Sequence, residues 1–134
     1  MPPTVYVSAG ILENHKGQIL MATRPEGKSC AGQWEFSGGK MESDERPIDT
    51  LYRELQEEIG VTIDKSTAIL YDTVVYQYEK FNLNMPVFWC RHWTGTPMAQ
   101  EGQRLQWFDI AQIHTLDVVI ADKDLITKIQ HDRL

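Results

Sequence analysis

Residues 39–61 read GKMESDERPIDTLYRELQEEIGV and contain the strongest helix signal of the chain before its C-terminal region. Pro47 suits the first position of a helix, and Gly60 suits the residue just past its end. Between them, apolar residues at spacings of three, four and four form one stripe on a helix: Ile48, Leu51, Leu55 and Ile59. We therefore predict a helix from Pro47 to about Gly60 with this stripe against the core, although Arg46 is a poor capping residue.

Three glutamates fall together on a flank of this helix, outside the apolar stripe. At about 100° per residue, Glu54 and Glu58 lie roughly 40° apart and Glu57 lies about 60° further round. Like charges at these spacings repel each other, and they do so more strongly when desolvated. Either the flank is a solvated acidic face, or the carboxylates hold a divalent cation, for which hard oxygen ligands suit Mg²⁺.

The residues around these glutamates stand at spacings that favour the metal site. Gly39 is followed six residues later by Glu45, and the helix supplies Arg53-Glu54-Leu55, Glu57-Glu58 and Gly60-Val61. At every defining position, residues 39–61 resemble the Nudix box. Further stretches resemble MutT-like members of the Nudix hydrolase family and extend the resemblance over most of the chain: Trp34–Lys40, Phe88–Trp93 and Glu101–Gln103.

This resemblance implies a fold and a reaction. The fold is of the α/β class, an α/β/α sandwich with a mixed central β-sheet, in a single Nudix hydrolase domain over residues 1–134. The reaction depends on Mg²⁺ or Mn²⁺, and water attacks a phosphorus of a nucleoside diphosphate linkage. In MutT-like members the products are a nucleoside monophosphate and pyrophosphate.

The resemblance also implies roles for the carboxylates of the box. Glu57 and Glu58 resemble the metal ligands of the family, and the carbonyl of Gly39 or of its neighbour would complete the coordination. Glu54 stands at the position of a further ligand or of the base that orients the water. A bound metal stabilises charge that develops on the leaving phosphate, so a carboxylate needs only to accept a proton.

Three more residues are expected to assist the chemistry. Arg53 and Glu45 resemble a structural pair that holds the loop against the helix, so Arg53 is expected to support catalysis more than to carry it. Glu101 lies in a loop between strands where MutT-like proteins supply an additional carboxylate to the metals or the water. The alternative for Glu101 is a solvent-exposed loop acid.

Candidate substrate contacts fall outside the helix. Arg24, Gly38 and Lys40 are expected near the phosphates, although basic residues at loop ends are also commonly solvated. Phe36 and Phe81 are candidates to stack on a base, with core packing as the alternative for Phe36 and loop packing for Phe81.

Asp122 stands where MutT-like enzymes place an Asn or Asp that reads the base edge. An ionised Asp offers only acceptors, so it favours an edge rich in N–H groups, such as guanine N1 and N2 or cytosine N4. The alternative is a helix N-terminal Asp that accepts hydrogen bonds from free backbone N–H groups.

The substrate that we expect is 8-oxo-dGTP or another oxidised deoxynucleoside triphosphate, which would place the enzyme in nucleotide-pool sanitisation, a step that protects DNA replication and complements DNA repair. A CTP or dCTP pyrophosphohydrolase is the nearest alternative. Ser37 and Pro25 depart from the MutT pattern, where a proline and a second arginine are common, and leave the substrate open.

More distant alternatives are enzymes that act on dinucleoside polyphosphates, ADP-ribose or RNA 5′ ends. Tyr76 and Tyr78 stand near the position where dinucleoside polyphosphate enzymes carry a tyrosine. A non-catalytic nucleotide-binding module is a further alternative, but such a module would be expected to have lost at least one box glutamate, and all three are present.

Length and charge restrict the partners. A chain of 134 residues with a net charge of −6 and no basic run longer than a pair is unlike a general nucleic-acid binder. We expect a nucleotide as the substrate, and a cytoplasmic monomer or homodimer that acts without a membrane, because neither a leader nor a transmembrane stretch is recognisable. Cys30 and Cys90 have no metal or disulfide spacing and are expected to be ordinary thiols, with Cys90 in the core.

The remaining apolar stretches predict strands and one helix. Thr4–Leu12 and Gln18–Thr23 flank a turn-like segment and predict a β-hairpin. A final amphipathic helix is predicted within Leu116–Leu134, beginning near Ile120. Additional strands are predicted at Trp34–Phe36, Thr67–Tyr78, Leu83–Trp93 and Leu105–Asp109.

Overall fold

The computed structural model describes residues 1–134 as nine strands and two α-helices. The strands are β1 Thr4–Leu12, β2 Gln18–Thr23, β3 Trp34–Glu35, β4 Gly38–Lys40, β5 Thr62–Ile63, β6 Ile69–Gln77, β7 Asn82–Cys90, β8 Trp93–Thr94 and β9 Leu105–Asp109. The helices are α1 Pro47–Ile59 and α2 Lys123–Arg133, and short 3₁₀ turns cover Ile110–Thr115 and Ile120–Asp122.

The largest sheet is mixed, as predicted. Its order is β4-β1-β7-β6, in which β1 runs parallel to β7 and antiparallel to β4, and β6 runs antiparallel to β7. A second, antiparallel sheet has the order β3-β2-β9, and β5 pairs with β8. The chain passes from the second sheet to the first between Glu35 and Gly38, so both sheets contribute to this region.

Helices cover both faces of the strands, which confirms the α/β/α arrangement. Neighbouring side chains of β1 enter different cores, because Ile11 lies in the core that contains α2 and Leu12 in the core that contains α1. In the same way, Met21 and Leu20 of β2 point to opposite cores. Strands buried on both faces are expected to be apolar at successive positions, as these are.

Helix α1 has the predicted bounds. Leu51, Leu55 and Ile59 are fully buried, and Gly60 closes the helix in the left-handed conformation with a φ of 71°. Arg46 forms no side-chain cap, as its residue type predicted. The helix lies close to β1, because a Cβ placed on Gly10 would come within 3.2 Å of the Leu51 side chain.

Several predicted elements differ in the structure. The hairpin prediction is wrong, because β1 and β2 belong to different sheets and only a single bridge between Glu13 and Ile19 joins them. The strand predicted through Trp93 ends at Cys90, and Trp93 pairs with Ile63 instead. The final helix begins at Lys123. Strand pairing and helix starts depend on distant partners that local residue patterns do not contain.

Two smaller findings complete the fold. Both cysteines are free thiols, and Cys90 is buried in the core as predicted while Cys30 is exposed. Neither helix combines the length and the apolar character that crossing a membrane would require.

Candidate functional site

The glutamate flank of α1 lies over the two glycines at the start of β4. A Cβ on Gly39 would overlap the carboxylate of Glu54, and a Cβ on Gly38 would overlap the backbone oxygen of Ser8. The backbone N–H of Gly38 donates a hydrogen bond to Glu58 Oε2 at 3.1 Å. The structure therefore brings the Gly38–Gly39 backbone into contact with two of the three box glutamates. At Gly38, where the neighbouring atoms belong to the backbone, only glycine fits.

Glu58 is the most perturbed of these carboxylates. Its pKa is raised to about 8, chiefly by burial and in addition by the charges of Glu101, Glu35 and Glu54, while the Gly38 amide opposes the shift. Burial also raises the pKa of Glu54, which Arg53 partly offsets. The flank therefore holds more negative charge than its own cations balance.

Glu57 differs from the other two box glutamates in its exposure. Its side chain is 56% exposed, and Oε2 lies 3.7 Å from an Arg53 nitrogen. It is therefore accessible to a ligand from solvent.

Arg53 and Glu45 form the predicted pair. Arg53 Nε and Nη2 donate to the two carboxylate oxygens of Glu45 at 2.8 and 2.9 Å, which is a bidentate ion pair. These bonds lower the pKa of Glu45 to about 2. Arg53 also donates to Glu54 Oε1 at 2.8 Å and to the carbonyl of Lys40 at 3.2 Å. Arg53 thus links α1 to the loop before it and to β4, while it orients Glu54.

Glu101 lies in a loop between β8 and β9, close to the box glutamates. Its charge raises the pKa of both Glu54 and Glu58, so it lies near them. The buried side chain of Gln103 accepts a hydrogen bond from the Glu101 backbone N–H at 2.9 Å and donates one to the Glu58 carbonyl at 3.0 Å. In the sequence, Gln103 stands out only as the last residue of the stretch Glu101–Gln103 that resembles MutT-like proteins. Its residue type alone does not predict a buried side chain.

The residue types at the site suit a divalent metal. The carboxylates of Glu54, Glu57, Glu58 and Glu101, with the Gly39 carbonyl, would offer hard oxygen ligands, and a cation would neutralise negative charge where they crowd together. As the side chains stand, no group of three or more Asp, Glu, His and Cys residues is arranged so that it could hold a metal ion. Mg²⁺ needs only one or two carboxylates, because it keeps waters and takes substrate phosphates as its other ligands.

Glu35 is a second residue that the sequence analysis missed. It forms an ion pair with Arg24, whose Nη1 lies 3.2 Å from Glu35 Oε1, and burial raises its pKa. Its charge raises the pKa of both Glu58 and Asp122, so it lies near both side chains. Arg24 is also tied to the carbonyl of Ser29 at 2.7 Å, so its guanidinium is held in place.

Asp122 is buried, with 2% of its surface exposed, and makes no side-chain cap for α2. The helix-capping alternative is therefore not supported. Burial raises the pKa of Asp122 to about 7, and Glu35 adds to the shift while the Phe36 amide opposes it. Near neutral pH this carboxyl can therefore exist in both its protonated and its ionised form.

The aromatic candidates have different surroundings. Phe36 lies in the larger core with 5% exposure, so the packing alternative describes its ring, and little of that ring is left for a base. Phe81 is half-buried and stacks on Tyr78 with ring centres 4.7 Å apart. The charge of Asp122 raises the pKa of Tyr78, which places this stack near Asp122.

Basic side chains at the site are few. Lys40 is exposed and its side chain makes no hydrogen bond or ion pair. Arg104, which sequence analysis did not single out, is the one arginine without a carboxylate within 4.0 Å, and its guanidinium lies 5.5 Å from the ring centre of Trp34. Arg24 and Arg104 both line a cleft of about 290 Å³ between their two loops.

Known proteins resemble this chain over most of its length. The model of the NUDIX domain matches residues 8–128. An 8-oxo-dGTP diphosphatase of Haemophilus influenzae is 36% identical over 84% of this chain and 79% of its own. A CTP pyrophosphohydrolase of Escherichia coli K12 is 37% identical over 77% of this chain and 74% of its own.

Solved structures of known proteins are also similar to this chain. A MutT structure from work on Aliivibrio salmonicida and Vibrio cholerae has a TM-score of 0.83 and 27% identity, and the alignment covers 96% of this chain and 98% of that one. These matches confirm the predicted resemblance to MutT-like Nudix hydrolases and the predicted fold class.

The raised pKa of Glu58 predicts how stability depends on pH. The stabilisation from its bound proton is fully present below the ordinary value of 4.5 and is lost as the pH rises through about 8. In metal-free wild-type protein, the loss of this proton should lower Tm between about pH 5 and pH 9. Glu58→Gln should show a smaller decrease in Tm over the same range. Thermal unfolding in EDTA measures this, with Glu57→Gln at an exposed position as the control. Parallel pH profiles for Glu58→Gln and wild type would contradict the assignment.

Proposed function

Because the chain belongs to the Nudix hydrolase family, we propose that it is a Mg²⁺-dependent nucleoside triphosphate pyrophosphohydrolase that acts on 8-oxo-dGTP or another oxidised deoxynucleoside triphosphate. Nudix hydrolases of the MutT type generally use a divalent metal. The observation that carries the proposal is the contact of Glu54 and Glu58 with the Gly38–Gly39 backbone, with the charge of Glu101 close enough to raise the pKa of both.

In this proposal Glu57 and Glu58 hold the metal, together with the carbonyl of Gly39 and with Glu101. The metal, when bound, supplies positive charge that stabilises the phosphate oxygens in the transition state. Glu58 would have to give up the proton that burial favours in order to serve as a ligand, because a ligand carboxylate must be ionised.

Glu54 is placed to orient water or to act as a further ligand. Arg53 occupies Glu54 Oε1, so the other oxygen faces Gly39 and the site. A water oxygen attacks a phosphorus, the phosphoanhydride bond breaks with its electron pair leaving on the departing phosphate group, and a carboxylate accepts the proton of the water, so that pyrophosphate is one product. The nucleoside monophosphate is the other product.

The nucleotide would lie between the box and Asp122. Asp122 is proposed to contact the base edge, and Phe81 with Tyr78 to offer a stacking face beside it. Lys40, Arg24 and the Gly38 backbone are proposed near the phosphates. Of these, only Lys40 has a side chain free of protein partners, whereas Arg24 is held by Glu35.

A second candidate is a CTP or dCTP pyrophosphohydrolase, favoured by the relative from Escherichia coli and by the raised pKa of Asp122. A protonated Asp offers one donor and one acceptor, and these match cytosine N3 and N4–H. An ionised Asp offers acceptors only and matches the N–H groups of guanine. Both candidates use the same phosphate chemistry.

A substrate panel tests the function. With Mg²⁺, kcat/KM for hydrolysis, followed as formation of the nucleoside monophosphate, should be highest for 8-oxo-dGTP among 8-oxo-dGTP, dGTP, dCTP, CTP, a dinucleoside tetraphosphate and ADP-ribose. Preference for a cytosine nucleotide would establish the second candidate and reject the first. The absence of hydrolysis of every compound would reject both.

Substitution of the proposed ligands tests the site. Glu57→Gln and Glu58→Gln should each lower kcat by roughly 100-fold or more, since each removes a ligand charge while the side-chain shape is kept. Circular dichroism should show an unchanged fold. Gln56→Glu, which changes charge on an exposed neighbouring position, is the matched control and should stay near wild type. Near wild-type rates in both Gln variants would reject these ligands.

The pKa of Asp122 predicts a pH-dependent base preference. As the pH rises through about 7, Asp122 loses its proton and the ratio of kcat/KM for guanine over cytosine substrates should increase. The ratio cancels pH effects on the shared phosphate chemistry. Asp122→Asn, which has a fixed donor and acceptor, should show a ratio independent of pH. A flat ratio in the wild type would contradict base reading by Asp122.

A further inference from the structure

The loop of residues 98–103 is attached to the end of α1. The last carbonyls of a helix lack partners within the helix. Here the Glu58 carbonyl accepts the backbone N–H of Gln100 at 3.0 Å, and the Ile59 carbonyl accepts that of Met98 at 2.9 Å. The loop therefore satisfies the free end of the helix that carries the box glutamates.

Gln103 adds a third connection of a different kind. Its side chain is only 7% exposed, and a buried amide is unfavourable unless its polar atoms are paired. Both ends are paired, because Nε2 donates to the Glu58 carbonyl at 3.0 Å and Oε1 accepts from the Glu101 N–H at 2.9 Å. One side chain thus joins the backbones of two residues whose carboxylates belong to the proposed metal site.

We propose that Gln103 is a positioning residue that holds the Glu101 backbone against α1, so that the Glu101 carboxylate is presented to the divalent metal and the water beside Glu58. This inference rests on the proposed function. Glu101 is exposed and its own side chain makes no hydrogen bond to the protein, so nothing else ties it down directly. Preorganised ligands bind and act better than ones that must be ordered first.

The connection made by Gln103 matters because the residue after Glu101 is the flexible Gly102. Gly102 adopts a φ of +80°, and glycine has the widest backbone freedom of any residue. Without Gln103, the segment from Glu101 to Gly102 would keep no bond to the helix, while the backbone bonds of Met98 and Gln100 would still hold the first half of the loop. Removing the Gln103 amide should therefore free Glu101 and leave the rest of the loop docked.

The test compares Gln103→Met, which keeps an unbranched chain but removes both hydrogen-bonding groups, with Gln100→Leu. Gln100 lies in the same loop with an exposed side chain that makes no hydrogen bond, so it is the matched control. Gln103→Met should weaken Mn²⁺ binding and lower kcat by about 10–100-fold, whereas Gln100→Leu should stay near wild type. In hydrogen exchange, the amide of Glu101 should lose protection and that of Gln100 should keep it.

A double-mutant cycle separates positioning from general support. In a Glu101→Gln background, Gln103→Met should cause little further loss, because the carboxylate it positions is already gone. Additive losses in Mn²⁺ affinity, or an unchanged Glu101 amide, would overturn the proposal. If Gln103→Met does not fold, Gln103→Glu replaces it in the cycle. The Glu side chain keeps an oxygen that can accept the Glu101 N–H but lacks the N–H group that donates to the Glu58 carbonyl. The Mn²⁺ cycle needs no substrate, so it decides on Gln103 even if the substrate panel rejects the proposed function.

Discussion

The packing of one face of α1 against β1 governs how the neighbouring elements and the site are arranged. Leu51 and Leu55 are fully buried and lie over Gly10, where the missing side chain lets the helix approach the strand. This contact sets the rotation of the helix about its axis. With the apolar face buried, the glutamate flank must meet the start of β4, where Gly39 gives room for Glu54. Core packing and the proposed chemistry are thus consequences of one orientation.

This orientation of α1 brings several carboxylates close together. Hydrogen bonds from Arg53 and the raised pKa of Glu58 reduce the repulsion between them. Arg53 donates two hydrogen bonds to Glu45 and one to Glu54, but it donates none to Glu58. Glu58 instead has its pKa raised to about 8 by burial and by neighbouring carboxylates. Burial thus favours a proton on Glu58, and in the proposed function a cation would take over its role of neutralising the charge. Ionisation of Glu58 without such a cation should lower stability.

Much of the site could be predicted because its residues lie on one helix. A helical period converts the spacing of Glu54, Glu57 and Glu58 into a shared flank without knowledge of any distant partner. The pairing of Arg53 with Glu45 also follows from the similarity of residues 39–61 to a known motif. Glu35 and Gln103 could not be found in this way. Their importance comes from burial and from contacts with residues more than 20 positions away in the chain.

Helix α1, its buried stripe, the carboxylate flank and the α/β class could be predicted from residue order, because they depend on local period and on a recognisable motif. The separate sheets of β1 and β2, the packing of Phe36 in the core and the burial of Asp122 near Glu35 became apparent only in three dimensions. Strand partners and electrostatic surroundings are set by long-range packing, and a linear pattern does not contain the neighbours that packing brings together.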